Sequence, residues 1–536
     1  MPRAGISFQE ASKPQEARVH MPVEVHIQAS GNWTNPYDPS EVSVSARIVG
    51  SNEVAAEVPG FWFEGYKWVE GRWSQTGERG WRLRFAPWNV GGYGLFVRGF
   101  DLDGPGELPR VGFAVRGVPK ESEPPAYGFV EPVKDRPAFT AARREAFVPV
   151  GVYLDSMPLT PPEIRRVVGM AKDSGANLMS VPLFGAGWAL EGELLTYDQQ
   201  AAYRLDVLLE AAQEQGMRVM LRLEAGAQGA APLPASLQAY AAEGGGACKT
   251  LDEFWTSLRA RQAYKKKLRY IVARNAWRSS WFGVQFFEGV APPAWWLDEM
   301  AQLVYDLHPY LVVQAAERNE QAPADSLRLN LALLSSTADL RRWRERSKKP
   351  AVLIPKPGEA ADVRQAWRDV MAGASGAMTR GIPDVGSLAP LRTALHELPW
   401  TTAPVDAQRV ESPYPFSAVL LSDSAVLLYV EGAPEVESQP PLPLGEGRGE
   451  GAFWETAGAP LSRWERAGVR APASKALPQT IRVPIRRDGT YEAQWKDALT
   501  GELLGEPARA RYRDSAELPV PHFDSAVVCV LRRVGR

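Results

Sequence analysis

The stretch DQQAAYRLDVLLEAAQEQGMRVMLRLEAG, residues 198–226, joins a helix pattern to a strand pattern and indicates the fold class of the central part of the chain. Residues 198–215 predict a helix, Gly216 predicts its end, and MRVMLRLEAG predicts a buried strand. A helix that leads into an apolar strand is the repeating unit of α/β folds.

The same alternation of strands and helices extends over about residues 148–400. It predicts a (β/α)8 TIM barrel. A doubly wound sheet is the alternative, but no glycine-rich phosphate loop follows the first strand. The eight strand candidates are FVPVGVYL, ANLMSVPLF, MRVMLRLEAG, WFGVQFFEG, LHPYLVVQAAE, SLRLNLALL, KKPAVLIPKPG and ASGAMTRG.

Strand patterns flank this block on both sides. Residues 1–118 contain period-two stretches such as VEVHIQA and VSVSARIV, and they predict an Ig-like β-sandwich. Residues 119–147 are rich in Pro, Glu and Lys and predict a linker laid over the surface. Residues 401–536 predict a second β-sandwich, which is interrupted at 440–478 by a Gly-, Pro- and charge-rich stretch that we expect to be a disordered insertion.

The charge and the metal-binding residue types argue against several classes of function. A net charge of −2 gives no support for a nucleic-acid partner or an anionic membrane. The 2 cysteines and 5 histidines show no metal-ligand spacing, so we expect neither a metal nor a cofactor. A basic cluster on the predicted fourth helix is interpreted as a solvated face, formed by Lys265, Lys266, Lys267 and Arg269.

The apolar segments also bear on where the protein works. No apolar run approaches the roughly 20 residues that span a bilayer. The first residues, MPRAGISFQEASKPQEARVH, contain no apolar core of a signal peptide. We therefore expect a cytoplasmic protein as written, or a secreted one if the true start lies upstream. The oligomeric state stays open.

Longer strings in all three blocks resemble one family. They include VPGFWFEGY in the first block, TYDQQAAYRLDVLLEAAQEQGMRVMLRLE in the barrel and DGTYEAQWKDALTGE in the last block. The chain resembles a group of bacterial glycoside hydrolases that carry an N-terminal DUF5060 sandwich, a cellulase-like barrel and a C-terminal sandwich. The resemblance covers nearly the whole chain.

This resemblance implies a retaining glycosidase, whose two carboxylates end the fourth and seventh barrel strands about 5–5.5 Å apart. The chain departs from that pattern. Gly289 falls on the acid/base position, although a one-residue bulge would let Glu288 serve instead. The nucleophile position falls on Lys356, and a protonated lysine cannot attack an anomeric carbon. Ser180 replaces an arginine on the second strand, and the eighth strand lacks the tryptophan of the family.

Other carboxylates could replace the missing nucleophile. Glu224 ends the third strand and Glu317 ends the fifth, so either could pair with Glu288 at the barrel mouth. Acids at a barrel mouth also bind sugar hydroxyls or cap helices, which is the simpler interpretation of each one alone. Weaker candidates are Asp384, Glu191 and Glu193.

Aromatic residues on the same loops are candidates for substrate binding. Trp188, Trp295 and Trp296 follow the second and fourth strands and could stack on sugar rings, together with a polar contact from Asp384. Packing inside the protein is the other interpretation, and for the adjacent Trp295 and Trp296 it is favoured for one of the two.

Three functions remain open from the sequence. The first is a glycoside-hydrolase-like protein that binds a poly- or oligosaccharide at the barrel mouth, with retaining hydrolysis impaired or lost. The second is an active glycosidase that uses Glu288 with a relocated carboxylate, either Glu224 or Glu317. The third is a non-enzymatic scaffold protein. The active enzyme requires two carboxylates about 5–10 Å apart across an open cleft, whereas a scaffold predicts a mouth filled by its own loops.

Overall fold

The computed structural model describes residues 5–53, 55–226, 232–307, 313–317, 328–355, 358, 360–432 and 480–534. Within these ranges, a parallel eight-stranded barrel is accompanied by additional β-sheets on both sides of it in sequence. No helix in the described part of the chain is long and apolar enough to cross a membrane.

Two facing sheets form the N-terminal block. One has the order β1-β3-β7-β6, and the other has the order β2-β10-β8-β4-β5 with β9 added beside β8. Alternation explains their packing: Val23, Val25 and Ile27 are buried and meet Ile48 and Leu95 of the second sheet in one core. The strands are β1 Ser7–Ala11, β2 Ala17–Arg18, β3 Val23–Ser30, β4 Ser43–Val49, β5 Ala55–Pro59, β6 Phe61–Val69, β7 Arg72–Phe85, β8 Gly91–Phe100, β9 Pro105–Glu107 and β10 Val111–Arg116.

The segment that follows contributes to the barrel and does not simply lie on the surface. Val130 and Phe139 are buried in the cluster that fills the barrel interior. The Phe139 ring lies 5.4 Å from that of Phe282, centroid to centroid, and so closes the end of the barrel where the strands begin. Short elements carry these residues, namely 3-10 turns at Lys120–Ser122 and Ala142–Arg144 and the strands β11 Glu131–Pro132, β12 Phe139–Thr140 and β13 Ala146–Phe147.

Eight parallel strands form the barrel in the order β22-β21-β20-β19-β18-β15-β14-β23. They are β14 Val150–Tyr153, β15 Leu178–Pro182, β18 Arg218–Ala225, β19 Trp281–Glu288, β20 Val313–Glu317, β21 Leu331–Leu334, β22 Ala351–Leu353 and β23 Ala377–Arg380. A hairpin of β16 Glu191–Glu193 and β17 Thr196–Tyr197 follows the second of them. The predicted barrel is thus confirmed in its parallel order, and the sheet is nearly closed.

The hydrogen bonding between neighbouring barrel strands is interrupted at one place in the described residues, between the seventh strand and the eighth. The path of paired strands ends at β22 on one side and at β23 on the other. The two ends are joined just before β23, where the Ser375 amide donates to the Ala351 carbonyl oxygen at 2.7 Å.

Helices surround the barrel and begin and end where the sequence indicates. At α2, the Asp198 carboxylate accepts hydrogen bonds from the amides of Gln200 and Ala201, and Gly216 adopts a φ of 74° that favours glycine. The predicted helix is therefore confirmed. The helices are α1 Pro161–Asp173, α2 Gln199–Gln215, α3 Leu251–Thr256, α4 Leu258–Asn275, α5 Ala294–Leu307, α6 Thr337–Arg346, α7 Val363–Met371 and α8 Ala389–Leu395, with 3-10 turns at Ala235–Tyr240 and Ala242–Gly244.

The basic cluster on α4 is not a solvated face, so that prediction was wrong. Arg269 donates to the Gly60 carbonyl oxygen of the N-terminal block at 3.0 Å, and Lys266 pairs with Asp38 at 2.6 Å. Lys267 is buried on the barrel side. The helix lies between the N-terminal block and the barrel wall, which leaves little of its surface in water.

A buried ion cluster also joins the N-terminal block to the barrel. Asp206 of α2 accepts hydrogen bonds from Arg84 of β7 and Arg274 of α4, each at 2.8 Å. The two nearby guanidinium groups outweigh the desolvation of this carboxylate and hold the pKa of Asp206 below its ordinary value.

The C-terminal block contains a six-stranded sheet, β24-β25-β26-β31-β28-β29, and a two-stranded sheet, β27-β30, which share one core. Trp367 of α7 ties it to the barrel, because its indole donates to the Ala498 carbonyl oxygen at 2.9 Å and stacks on Tyr429. The predicted insertion at 440–478 lies outside the described residues. The strands are β24 Asp406–Arg409, β25 Phe416–Leu421, β26 Ala425–Glu431, β27 Thr480–Pro484, β28 Gly489–Asp497, β29 Ala508–Tyr512, β30 Ser515–Pro519 and β31 Ala526–Val534.

Candidate active site at the barrel mouth

Glu288 is the last residue of the fourth barrel strand, and its carboxylate meets Arg222 of the third. The distance from Arg222 Nε to Glu288 Oε2 is 3.0 Å. Glu288 keeps about a quarter of its side chain exposed, whereas Arg222 has no exposed surface. The pairing of β18 with β19 slips by one residue at its start, since Val219 is opposite Trp281 and Met220 is opposite Gly283. From Met220 onward the register is constant, and Glu288 lies opposite Ala225.

Arg222 is fixed by the barrel wall as well as by Glu288. Its guanidinium donates to the Leu154 carbonyl oxygen and to the Ser180 carbonyl and hydroxyl oxygens, the latter two at 3.2 and 3.3 Å. Its Cζ lies 3.7 Å from the centre of the Tyr153 ring. Desolvation lowers the pKa of Arg222, and its neighbours Tyr153 and Glu288 act in the opposite direction.

A second arginine lies over the same tyrosine ring. Arg380 ends the eighth strand, and its Cζ is 5.5 Å from the Tyr153 ring centre. It binds the carboxylate of Asp155 through two nitrogens, with Nε to Oδ2 at 3.1 Å. A row of four charged groups therefore crosses the mouth, with Arg222 and Arg380 in the middle and the carboxylates of Glu288 and Asp155 at its two ends.

Glu224 does not join this row, which corrects the expectation that it reaches the mouth. Its side chain has almost no exposed surface and accepts a hydrogen bond from Lys267 Nζ of α4 at 2.6 Å. Burial raises the pKa of Glu224 to about 7, although the cation of Lys267 acts against this. Desolvation alone would lower the pKa of Lys267, but Glu224 and Glu191 outweigh it and raise that pKa. Glu224 is thus held between the barrel wall and a helix.

Glu191 belongs to the same buried cluster and not to an open mouth. It accepts hydrogen bonds from the Tyr240 hydroxyl and from the Leu195 amide, both at 2.9 Å. Its Oε2 is 3.9 Å from Lys267 Nζ, and burial raises its pKa. Glu193, two residues later in the hairpin, is exposed.

The three tryptophans have different environments. Trp188 is buried, and its indole donates to the Met157 and Pro158 carbonyl oxygens at 3.2 Å. Trp296 is buried completely. Trp295 keeps 47% of its surface exposed and carries the Arg261 guanidinium 5.2 Å from its ring centre. Of the three, Trp295 alone presents a face that a sugar could reach.

The remaining predicted residues are placed as follows. Asp384 is exposed in the loop after β23, and its carbonyl oxygen accepts from the Ser387 hydroxyl at 2.7 Å. Glu317 ends β20, but its side chain lies outside the described part of the protein, and so does Lys356. Within the described residues, no group of three or more His, Cys, Asp or Glu could hold a metal ion.

Sequence reasoning missed four residues of the mouth: Tyr153, Asp155, Arg222 and Arg380. One signal was present for Arg222, because an arginine inside the apolar strand VMLRL is rare unless it is paired. Asp155 directly follows the predicted first strand and Arg380 lies near the end of the predicted eighth strand, but their pairing depends on the eighth strand lying beside the first.

Comparisons with known proteins agree with this geometry at the level of the fold. No protein-family model matches the chain. No curated protein sequence matches it. A glycoside hydrolase candidate from Bacteroides vulgatus has 14% identity and a TM-score of 0.63, with 97% of this chain and 100% of that one covered. A glycoside hydrolase family 5 structure from the same species has 10% identity and a TM-score of 0.50 over 76% of this chain and 93% of that one.

These similarities define the class of structure to which the chain belongs. It has a glycoside-hydrolase-like fold built around a TIM barrel, with further β-sheet blocks. At 14% identity the likeness concerns the fold, and the chemistry has to be argued from the residues at the mouth.

Proposed function

We propose that this protein binds a poly- or oligosaccharide at the barrel mouth and that its retaining hydrolysis is impaired or lost. The observation that carries the proposal is the ion pair between Glu288 and the buried Arg222 at 3.0 Å. Retaining hydrolysis needs one carboxyl group that carries a proton and a second that attacks the sugar. Glu288 is the candidate for the first task, and its oxygen is already bound by a guanidinium.

The second carboxylate is the greater difficulty. Glu224 is withdrawn into a buried pair with Lys267, and the resemblance aligns the nucleophile position with Lys356. Asp155 reaches the mouth, but both of its oxygens are bound by Arg380. Glu288 and Asp155 are therefore each paired with an arginine, which favours recognition over bond cleavage.

Several groups at the mouth support binding of a sugar. Glu288, Asp155 and Arg380 offer polar atoms at the ends of the strands, and Trp295 offers an exposed ring nearby in sequence. Few polar groups beside an aromatic surface are the usual composition of a carbohydrate site. We further propose that the N-terminal block is an Ig-like sandwich of the DUF5060 type, as the sequence resemblance suggests.

The test is incubation of the protein with a panel of neutral and acidic polysaccharides. Two quantities are measured in parallel, the release of reducing ends and the retention of the protein on the immobilised glycan. We expect retention on at least one glycan without release above the background of a heat-denatured sample. Glu288→Gln should reduce retention, because it removes the negative charge of a carboxylate at the mouth that is paired with Arg222, whereas the exposed Glu193→Gln serves as the matched control.

Two outcomes would contradict the proposal in different ways. Hydrolysis by the wild-type protein that disappears in Glu288→Gln but persists in Glu193→Gln would establish an active glycosidase. Absence of both retention and release over the whole panel would remove carbohydrate binding and favour the scaffold interpretation.

A further inference from the structure

We propose that Arg380 binds the carboxylate of an acidic sugar, so that the glycan recognised at the barrel mouth contains uronic acid residues. The inference rests on the proposed function and narrows its substrate class. It depends on the way in which Arg380 and Asp155 are held, and not on a property of the fold.

Arg380 is a cation that the barrel wall holds in place. Its side chain is 12% exposed, its Nη1 reaches the Pro355 carbonyl oxygen at 3.4 Å, and its Cζ lies 5.5 Å from the Tyr153 ring centre. A guanidinium that is mostly removed from water requires an anion beside it. Its two outward nitrogens form a planar fork that matches both oxygens of a carboxylate.

Asp155 fills that fork in the absence of a ligand. Both of its oxygens are bound by Arg380, yet its side chain is 60% exposed. It lies two residues after the end of the first strand, on a side of the pair that solvent reaches. Asp155 therefore occupies the place of an exchangeable carboxylate, and a ligand carboxylate that replaced it would keep the same two hydrogen bonds.

The charges nearby favour replacement by an anion. Glu288 is paired with the buried Arg222, so its carboxylate is already engaged and does not balance the charge of Arg380. When Asp155 moves away, Arg380 keeps an uncompensated positive charge at the mouth. A uronate restores the balance, whereas a neutral hexose replaces a charge-assisted pair by weaker hydrogen bonds.

The experiment measures binding of matched oligosaccharides by calorimetry. The probes are galacturonate, glucuronate and mannuronate oligomers and their carboxyl-reduced forms, which keep the ring and linkage but lose the charge. We expect the wild-type protein to bind at least one acidic oligomer about tenfold or more tightly than its reduced form. Added salt should weaken the acidic complex and leave the neutral one nearly unchanged.

Two variants separate the roles of the pair. Arg380→Gln should abolish the preference for the acidic form while retaining weak binding of the neutral one. Asp155→Asn should bind the acidic oligomer more tightly than the wild-type protein, because the competing carboxylate is gone. Folding of both variants is checked by their thermal unfolding midpoints.

Equal affinity for acidic and reduced oligomers would overturn the inference but leave carbohydrate binding in place. Weaker binding of the acidic oligomer by Asp155→Asn would also overturn it, because Asp155 would then assist the ligand and not compete with it. Absence of binding to either form, together with failure on the whole polysaccharide panel, would remove the proposed function itself.

Discussion

Removal of the Lys267 ammonium tests the buried cluster behind the third barrel strand. Lys267 Nζ lies 2.6 Å from Glu224 and 3.9 Å from Glu191, and all three side chains are almost fully buried. Lys267→Met keeps most of the volume but leaves two carboxylates without their cation. Loss of one partner of a buried pair costs about 3–5 kcal/mol. That is a large share of the roughly 5–15 kcal/mol by which folded proteins are stabilised.

The sign of the pH dependence follows from the raised pKa of Glu224. A folded-state pKa of about 7 lies above the ordinary value of 4.5, so the folded protein binds this proton more tightly than the unfolded chain does. That contribution to stability is fully present below pH 4.5 and is lost as pH rises through 7. Without Lys267 the carboxylate depends still more on its proton, so the variant should lose less stability at pH 5.5 than at pH 8.

The assay is urea unfolding followed by tryptophan fluorescence, at both pH values, with three comparisons. Lys265→Met is the matched control, because Lys265 lies on the same helix and pairs with Glu299 at the same 2.6 Å, but in partly exposed surroundings. Lys265→Met should lower the free energy of unfolding by no more than about 1 kcal/mol. The double variant Lys267→Met with Glu224→Gln should regain about 1–2 kcal/mol relative to Lys267→Met alone, since one orphaned charge is removed. A loss below about 1 kcal/mol for Lys267→Met at both pH values would refute the reasoning.

Other sites give independent predictions. Asp206→Asn removes the carboxylate that pairs with the buried Arg274 and one of the two that pair with Arg84, which keeps Glu24. It should lower the free energy of unfolding by about 3 kcal/mol at pH 7, and because the pKa of Asp206 is lowered, the difference from wild type should shrink as pH falls through that folded-state pKa. Trp367→Ala should lower the free energy of unfolding by about 3–5 kcal/mol and make the C-terminal block easier to cleave by protease. Trp367→Phe loses mainly the hydrogen bond to Ala498 and should lower the free energy of unfolding by about 1 kcal/mol. Gly246→Ala would place its Cβ 1.9 Å from the Tyr240 carbonyl oxygen and should cost about 1–3 kcal/mol in denaturant unfolding; a stability equal to wild type would show that this loop rearranges freely.

The regular elements could be predicted from the sequence because local signals and burial agree there. Asp198 and Gly216 mark the ends of α2. The apolar strands between such helices have to be buried in a central sheet. The parallel order then follows from the short connections of the βα units. The barrel was therefore accessible without knowledge of any contact between distant residues.

The direction in which a single charged side chain points could not be predicted from the sequence in the same way. Alternation along β18 places positions 222 and 224 on one side, yet Arg222 contacts Tyr153 and Glu224 contacts Lys267 of a surrounding helix. The two side chains therefore have partners on different elements, although the strand pairing is regular between them. Lys267 was misassigned for a related reason, because its partner lies 43 residues earlier on another element. Charges that are paired across elements leave no periodic signal.

The ring of Phe139 has a practical consequence for anyone who wishes to study the barrel by itself. Phe139 comes from the segment before the first barrel strand, but it seals the base of the cylinder against Phe282. A fragment that begins at Val148 lacks Phe139 and would expose the apolar side chains at this end of the barrel to water. Such an exposed apolar surface promotes aggregation. Any barrel fragment should therefore begin ahead of Val130, well before the sheet itself starts.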